Sequence, residues 1–171
     1  MYGFAPARPG SPIHGACAPW TGERDVAQWI QFMKDRGVVR VCSLLPPREL
    51  GEFAQGLVPI YEREFGRENV LSAHLDGSLD VGRELFGRIL PFLAASDART
   101  VVHCRFGLVR TGVVLASWLA YEDGLAPDEA IAAVEKEGRT PRDMAPDDAR
   151  SLARLRGLLR DARRFGEEAR A

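Results

Sequence analysis

The residues best suited to chemistry lie together between His103 and Gly112, where the sequence reads His-Cys-Arg-Phe-Gly-Leu-Val-Arg-Thr-Gly. Cys104 offers a nucleophilic sulfur, and the planar guanidinium of Arg110 can hold two phosphoryl oxygens at once. A β-branched run, Thr100–His103, precedes this segment, and an apolar run from Val113 to Tyr121 follows it. A loop between a strand and a helix directs backbone N–H groups into one concave space, where the helix dipole favours an anion. The segment is therefore predicted to bind a phosphate group beside the Cys104 sulfur.

Several neighbours of Cys104 have types that fit this chemistry. A sulfur close to the loop amides and to Arg110 should be a thiolate near neutral pH, the form that attacks. Thr111 can donate its hydroxyl to the sulfur and so ease its departure from a thiophosphate intermediate. Gly107 and Gly112 permit a tight backbone. The positions predicted to contact the substrate are Arg105, Phe106, Gly107, Leu108, Val109 and Arg110.

The elements that position this loop alternate along the chain. Runs rich in β-branched residues predict strands at Val38–Leu45, Asn69–Leu75 and Thr100–His103. Helical spacing of apolar residues predicts helices around residues 23–36, 48–55, 60–65, 81–93 (kinked or ended near Pro91), 113–121, 128–137 and 147–165. The alternation predicts an α/β fold, a single domain with a mainly parallel central sheet flanked by helices. Ligands bind such sheets at the carboxyl ends of the strands.

The chain has 171 residues, of which 46% are hydrophobic and 27% charged, as expected for one globular domain. The Pro- and Gly-rich residues 1–22 are predicted to form an amino-terminal arm packed on a domain of residues 23–171. The 23 basic and 24 acidic side chains give a net charge of -1, which argues against a nucleic-acid partner.

Cellular location is predicted from the cysteines and from apolar run length. Three widely spaced cysteines, Cys17, Cys42 and Cys104, form neither a disulfide framework nor a zinc pair, so a reducing compartment is expected and the cytoplasm is the default. No run of about 18 apolar residues predicts membrane insertion, and the first residues lack a secretory pattern. The oligomeric state is left open.

The loop resembles that of the cysteine-dependent protein phosphatases, His-Cys-x5-Arg-Ser/Thr-Gly. Within that family the chain looks most like the small single-domain dual-specificity or prokaryotic tyrosine phosphatases. The resemblance covers most of Glu23–Leu159, including the placement of Arg139-Thr140-Pro141-Arg142. It implies a protein tyrosine phosphatase-like fold of the dual-specificity type. The implied partner is a phosphorylated protein or a small phosphomonoester.

The resemblance also implies roles for individual residues. Cys104 would attack phosphorus, and Asp76 would protonate the departing oxygen and then activate water. His103 would orient the loop and tune the thiolate through hydrogen bonds. No cofactor or metal is implied, and the three histidines, His14, His74 and His103, are not spaced as a ligand pair.

Two assignments have competing interpretations. Asp76-Gly77 is also an ordinary turn, so Asp80 is the next candidate for the acid and Asp97 a third. Cys17 or Cys42 could form a disulfide with an oxidised Cys104, although Cys42, inside an apolar strand, is better explained as a core residue.

The leading hypothesis is a metal-independent phosphatase that forms a phosphocysteine intermediate and acts on phosphotyrosine, with phosphoserine and phosphothreonine as further candidates. A phosphoinositide or inositol-phosphate phosphatase is an alternative, which the lack of lysine in the loop disfavours. Rhodanese-like sulfur transfer is a further alternative, which is disfavoured because that chemistry has no role for Thr111 or for the upstream Asp. A phosphate-binding module without turnover is the alternative from a different class.

Overall fold

One mainly parallel sheet organises the structure, a computed structural model that describes residues 1–76, 81–144 and 149–171. Its strands are β1 (Ala5–Pro6), β2 (Ile13–Cys17), β3 (Arg40–Ser43), β4 (Val70–Ser72) and β5 (Thr100–Cys104). Their order across the sheet is β1-β2-β5-β3-β4. Only the β1–β2 pair is antiparallel among these. The predicted α/β class and parallel sheet are confirmed.

The amino-terminal segment contributes β1 and β2 to the sheet, which is a correction to the arm predicted for residues 1–22. β2 pairs with the central strand β5 from Ile13 opposite Thr100 to Cys17 opposite Cys104. The sequence obscured this strand because Ile-His-Gly-Ala-Cys has one β-branched residue, contains a glycine and is flanked by proline and glycine.

The helices lie near their predicted positions, whereas β3 and β4 are shorter than predicted and β5 is one residue longer. The helices are α1 (Glu23–Asp35), α2 (Pro47–Leu50), α3 (Leu57–Phe65), α4 (Gly82–Glu84), α5 (Leu90–Ala94), α6 (Val109–Asp123), α7 (Pro127–Lys136) and α8 (Ala149–Ala169). A π-helical segment, Leu85–Ile89, joins α4 to α5, and 3-10 turns span Arg67–Asn69 and Pro141–Met144. Pro91 lies in the first turn of α5, directly after the π-helical segment, so the helical backbone continues past it. The start predicted for the last helix, Pro146 to Asp148, lies outside the described residues.

Apolar side chains cover both faces of β5. Val101 faces a cluster with Trp29 of α1 and Tyr61 of α3, whereas Val102 faces a cluster that includes α6 and α8. All five residues of β5 are buried, and so is every residue of α6 from Thr111 to Tyr121, as predicted for a central helix. In the described part of the chain, no helix is long and apolar enough to cross a membrane. The loop after β5 is thus held by the best buried part of the fold.

The contact of α8 with α6 should be sensitive to one methyl group. An added Cβ at Gly166 would lie 2.1 Å from the carbonyl oxygen of Tyr121, whereas at Gly157 of the same helix it would meet only Arg160 Nη2, at 3.8 Å. We expect Gly166→Ala to lower the free energy of unfolding by about 1–3 kcal/mol through overpacking. Gly157→Ala should raise it by roughly 0.5–1 kcal/mol, because alanine favours a helix. Urea unfolding measures both, and equal effects would contradict the close approach.

Candidate active site

The loop between β5 and α6 packs directly on the backbone of β2. Gly107 has a φ of +70°, which favours glycine. A Cβ at Gly107 would lie 2.5 Å from the carbonyl of Ala16 and from the nitrogen of Cys17. The glycine that the sequence assigned to a tight backbone is therefore required both by its conformation and by the close approach of β2.

Cys104 ends β5, and its sulfur lies beside the first turn of α6. The Thr111 hydroxyl donates a hydrogen bond to Sγ of Cys104 over 3.2 Å, and both side chains are buried. The Cys104 carbonyl accepts from the N–H of Ala18. The structure thus brings together the nucleophile candidate, the hydroxyl predicted to serve it and a helix amino terminus that favours negative charge.

The His103 ring lies away from the Cys104 sulfur, because side chains alternate along a strand. It packs edge-on against Trp29 and Tyr61, with ring centroids 5.3 Å and 5.6 Å away. Burial and the positive charge of Arg110 lower the pKa of His103 to about 3, so the ring is neutral at pH 7. Neither ring nitrogen has a hydrogen-bond partner among the described residues. The predicted hydrogen bonding to the thiolate is therefore corrected to a packing role.

The guanidinium of Arg110 is held by an acidic side chain that the sequence analysis missed. Its Nη2 donates to both carboxylate oxygens of Glu49, at 3.0 Å and 2.9 Å. Its Nη1 donates to the carbonyl of Leu75 over 3.1 Å and to that of Leu44 over 3.5 Å. The side chains of Arg110 and Glu49 are nearly buried, with 12% and 13% of their surfaces exposed. The arginine is thus fixed at the carboxyl edge of the sheet, and its bidentate grip on phosphate stays a prediction.

The other loop positions divide between supported and exposed side chains. Arg105 pairs with Glu52 over 2.6 Å, so the segment around α2 binds both loop arginines. Phe106 is 70% exposed and Leu108 is 41% exposed, as a pocket rim requires. The Val109 side chain is partly buried and packs against the core, so contact of this position with substrate stays a prediction. Glu49 and Glu52 follow the end of a predicted parallel strand, and that placement was the one sequence signal that they lie near the loop.

The structure narrows the candidates for the general acid. Asp76 is exposed and directly follows Leu75, whose carbonyl binds Arg110, so it lies at the same edge as Cys104. His74, before it on the same loop, is exposed. Asp97 precedes β5 and lies at the opposite, amino-terminal edge of the sheet, which excludes it. Asp80 lies outside the described residues.

The two remaining cysteines differ in their relation to Cys104. Cys17 is the residue opposite Cys104 in the β2–β5 pair and is half-buried. Burial raises the pKa of the Cys17 thiol, and the neighbouring Cys104 raises it further. Cys42 is buried in the core, where loss of solvent raises its pKa to about 12. The interpretation of Cys42 as an inert core residue therefore agrees with its surroundings.

Comparisons with known proteins find the fold but no close relative. No protein-family model and no curated protein matches the sequence. Among solved structures, a Cydia pomonella PTP-2 phosphatase aligns at 15% identity and TM-score 0.69, covering 92% of this chain and 90% of its own. Pseudomonas aeruginosa TpbA aligns at 20% identity and TM-score 0.61, covering 92% of this chain and 88% of its own. A TpbA with a serine in place of a cysteine has been solved in complex with pTyr.

A human tyrosine phosphatase-like serine/threonine/tyrosine-interacting protein is also similar, at 13% identity and TM-score 0.63, covering 90% of this chain and 93% of its own. The fold is therefore shared by proteins named phosphatases and by one named phosphatase-like. With its parallel sheet, its buried α6 and its loop after β5, this chain has the fold of the protein tyrosine and dual-specificity phosphatases.

Proposed function

We propose that the protein is a metal-independent phosphatase that hydrolyses phosphate monoesters through a phosphocysteine intermediate, with phosphotyrosine as the simplest substrate. Phosphoserine and phosphothreonine are further candidates. The observation that carries the proposal is the 3.2 Å hydrogen bond from Thr111 to the Cys104 sulfur within a strand-loop-helix. A core cysteine without chemistry has no need of a buried hydroxyl, an adjacent arginine and a helix amino terminus together. Three unpaired cysteines support a reducing compartment, the cytoplasm, as its location.

In the first proposed step the Cys104 thiolate attacks phosphorus in line. An S–P bond forms as the ester P–O bond breaks, and the departing oxygen takes a proton from the Asp76 carboxyl. The loop N–H groups and Arg110 stabilise the charge that collects on the phosphoryl oxygens. Because Glu49 fixes Arg110 beforehand, the guanidinium loses little freedom when phosphate binds.

In the second step water cleaves the S–P bond. The Asp76 carboxylate takes a proton from the water as its oxygen bonds to phosphorus, and the pair of electrons in the S–P bond returns to Cys104. The Thr111 hydroxyl stabilises the returning thiolate by the hydrogen bond already present. Phosphate then leaves with the enzyme restored.

The rim of the loop supports an aromatic substrate over a highly charged one. Phe106 and Leu108 are the exposed apolar side chains of the loop, and Arg105 is neutralised by Glu52. A phosphoinositide or inositol phosphate would need additional cations for its other phosphates. None of these three loop positions supplies one.

A first test is hydrolysis of an aryl phosphate in the presence of a chelator. We expect turnover by the wild type, inhibition by vanadate, and loss of at least about a thousandfold in kcat for Cys104→Ser with phosphate binding retained. Cys42→Ser is the control for loss of an unrelated thiol. Residual activity well above this level would remove Cys104 as the nucleophile. A folded, reduced wild type that binds vanadate without turnover would instead identify a phosphate-binding module.

Asp76→Ala should lower kcat by roughly 100-fold for a phosphate ester with a poor leaving group, and less for p-nitrophenyl phosphate, because only the former needs a proton. The decline of activity at high pH should flatten, since the step that required a protonated carboxyl is gone. Asp80→Ala is the matched control and should stay near wild type. The reverse pattern would move the acid to Asp80.

Glu49→Ala should lower kcat/KM about tenfold or more, because a hydrogen bond to a charged group is worth about 1.5–3 kcal/mol and the near-buried Arg110 would lose it. Glu49→Gln, which keeps one acceptor, should fall between. Glu52→Ala, which releases Arg105 alone, is the control and should have a smaller effect. Arg110→Lys measures how far kcat/KM falls when the planar guanidinium itself is lost. Equal kinetics for the Glu49 and Glu52 variants would refute the assignment of Glu49 to Arg110.

A further inference from the structure

Arg139 is a buried cation that the proposed mechanism does not use. It follows Gly138 after α7 and is 3% exposed. Among the described residues, no ion pair includes it. Burying an unpaired charge is costly, so its retention calls for compensating contacts.

The compensation comes from three backbone carbonyls on separate segments. Nη1 of Arg139 donates to the carbonyl of Gly107 in the loop, over 2.5 Å. Nη2 donates to Gly15 of β2 over 2.8 Å and to Gly3 over 2.5 Å. One side chain thus ties the loop after β5 to the sheet and to the amino-terminal segment.

The bond to Gly107 meets a need of any phosphate-binding loop. A loop that directs its N–H groups toward an anion turns carbonyls outward, and a buried carbonyl needs a donor. Arg139 supplies the donor for Gly107, and the N–H of Thr140 approaches the carbonyl of Leu108 at 3.5 Å. The segment after α7 therefore holds the back of the loop.

Arg139 occupies space that is open because Gly15 and Gly112 lack side chains. A Cβ at Gly15 would lie 2.9 Å from Cζ of Arg139, and one at Gly112 would lie 3.1 Å from its Cβ. These positions belong to β2 and to the first turn of α6. The Arg139 side chain therefore packs between β2 and α6, at positions where both elements have glycine.

Arg139 interacts electrostatically with two cysteines. Burial lowers the pKa of Arg139, while negative charge on Cys104 and on Cys17 raises it. A guanidinium has so high a pKa that it stays protonated in proteins. A fixed positive charge therefore lies behind the loop, on the side away from Arg110's partner Glu49, where it favours an anionic sulfur and a bound oxyanion.

We propose that Arg139 is a positioning residue of the active site, holding the loop by the Gly107 carbonyl and placing a fixed positive charge behind Cys104. Through Gly3 it also makes the amino-terminal segment part of the support of the loop. The catalytic meaning of this role rests on the proposed phosphatase function. Its two physical effects, on oxyanion affinity and on thiolate reactivity, can be measured without turnover.

The test compares Arg139→Lys and Arg139→Met with Arg142→Met, an exposed arginine of the same segment that pairs with Glu135. The first readout is tungstate affinity by calorimetry. The second is the pH dependence of Cys104 alkylation by iodoacetamide, followed on the Cys104 peptide by mass spectrometry. Thermal unfolding checks that each variant is folded.

For Arg139→Met we expect tungstate affinity to fall at least about tenfold and the alkylation midpoint to rise by about one pH unit, since an adjacent positive charge is lost. Arg139→Lys keeps the charge, so its midpoint should stay near wild type. One ammonium cannot reach three carbonyls in the fork geometry, so its tungstate affinity should still fall. Arg142→Met should change neither.

Wild-type tungstate affinity in a folded Arg139→Lys would overturn the positioning role, and this variant decides alone if Arg139→Met does not fold. An unchanged alkylation midpoint in a folded Arg139→Met would overturn the electrostatic role. A wild type that binds tungstate and alkylates at Cys104 but hydrolyses no aryl phosphate would contradict the phosphatase function while leaving both tests of Arg139 intact.

Discussion

Backbone N–H groups that point inward at one anion require carbonyls that point outward, and much of the structure meets this requirement at the loop after β5. Within the loop, the Gly107 carbonyl accepts from Arg139 and that of Leu108 from the N–H of Thr140. At the end of β5, the carbonyls of His103 and Cys104 accept from the N–H groups of Leu44 and Ala18. These donors come from segments far apart in sequence. Neighbouring segments thus satisfy carbonyls of the loop and of the strand that leads into it, and these hydrogen bonds support the shape of the loop.

The three arginines around the loop differ in how their charges are paired. Glu49 and Glu52 pair with Arg110 and Arg105 from the segment around α2, whereas Arg139 donates to three backbone carbonyls and pairs with no carboxylate among the described residues. Positive charge therefore remains beneath the loop while its outer arginines are held in place. A thiolate or a phosphoryl group is the natural counter-charge. The proposed anion site therefore has a local positive charge even though the whole chain carries a formal charge of -1.

The candidate reactive segment can be predicted from the sequence because its residues are contiguous. The order Cys104, Gly107, Arg110, Thr111 implies a loop on its own, and the buried run after it implies the central helix. Contacts between distant segments carry no such local mark. β2 escaped notice because glycine replaces a bulky residue where α6 and Arg139 approach, so the feature that makes Gly15 necessary also hides the strand. Glu49 lies 61 residues from Arg110, so no local pattern in the sequence indicates that the two side chains pair.

His103 shows a second reason why a residue's role cannot always be predicted from its place in a motif. A polar residue before a nucleophile suggests a hydrogen bond to it, yet strand alternation turns the ring to the other face, between Trp29 and Tyr61. Backbone contacts rather than loop side chains fix the shape of the site, so Phe106 and Leu108 are free to project from it. In the proposed phosphatase, substitutions at these rim positions should change which ester fits without altering how sulfur, arginine and helix meet the phosphate. In that proposal the chemistry and the specificity of the site are separable in sequence, with Gly107, Arg110 and Arg139 serving the first and the exposed rim serving the second.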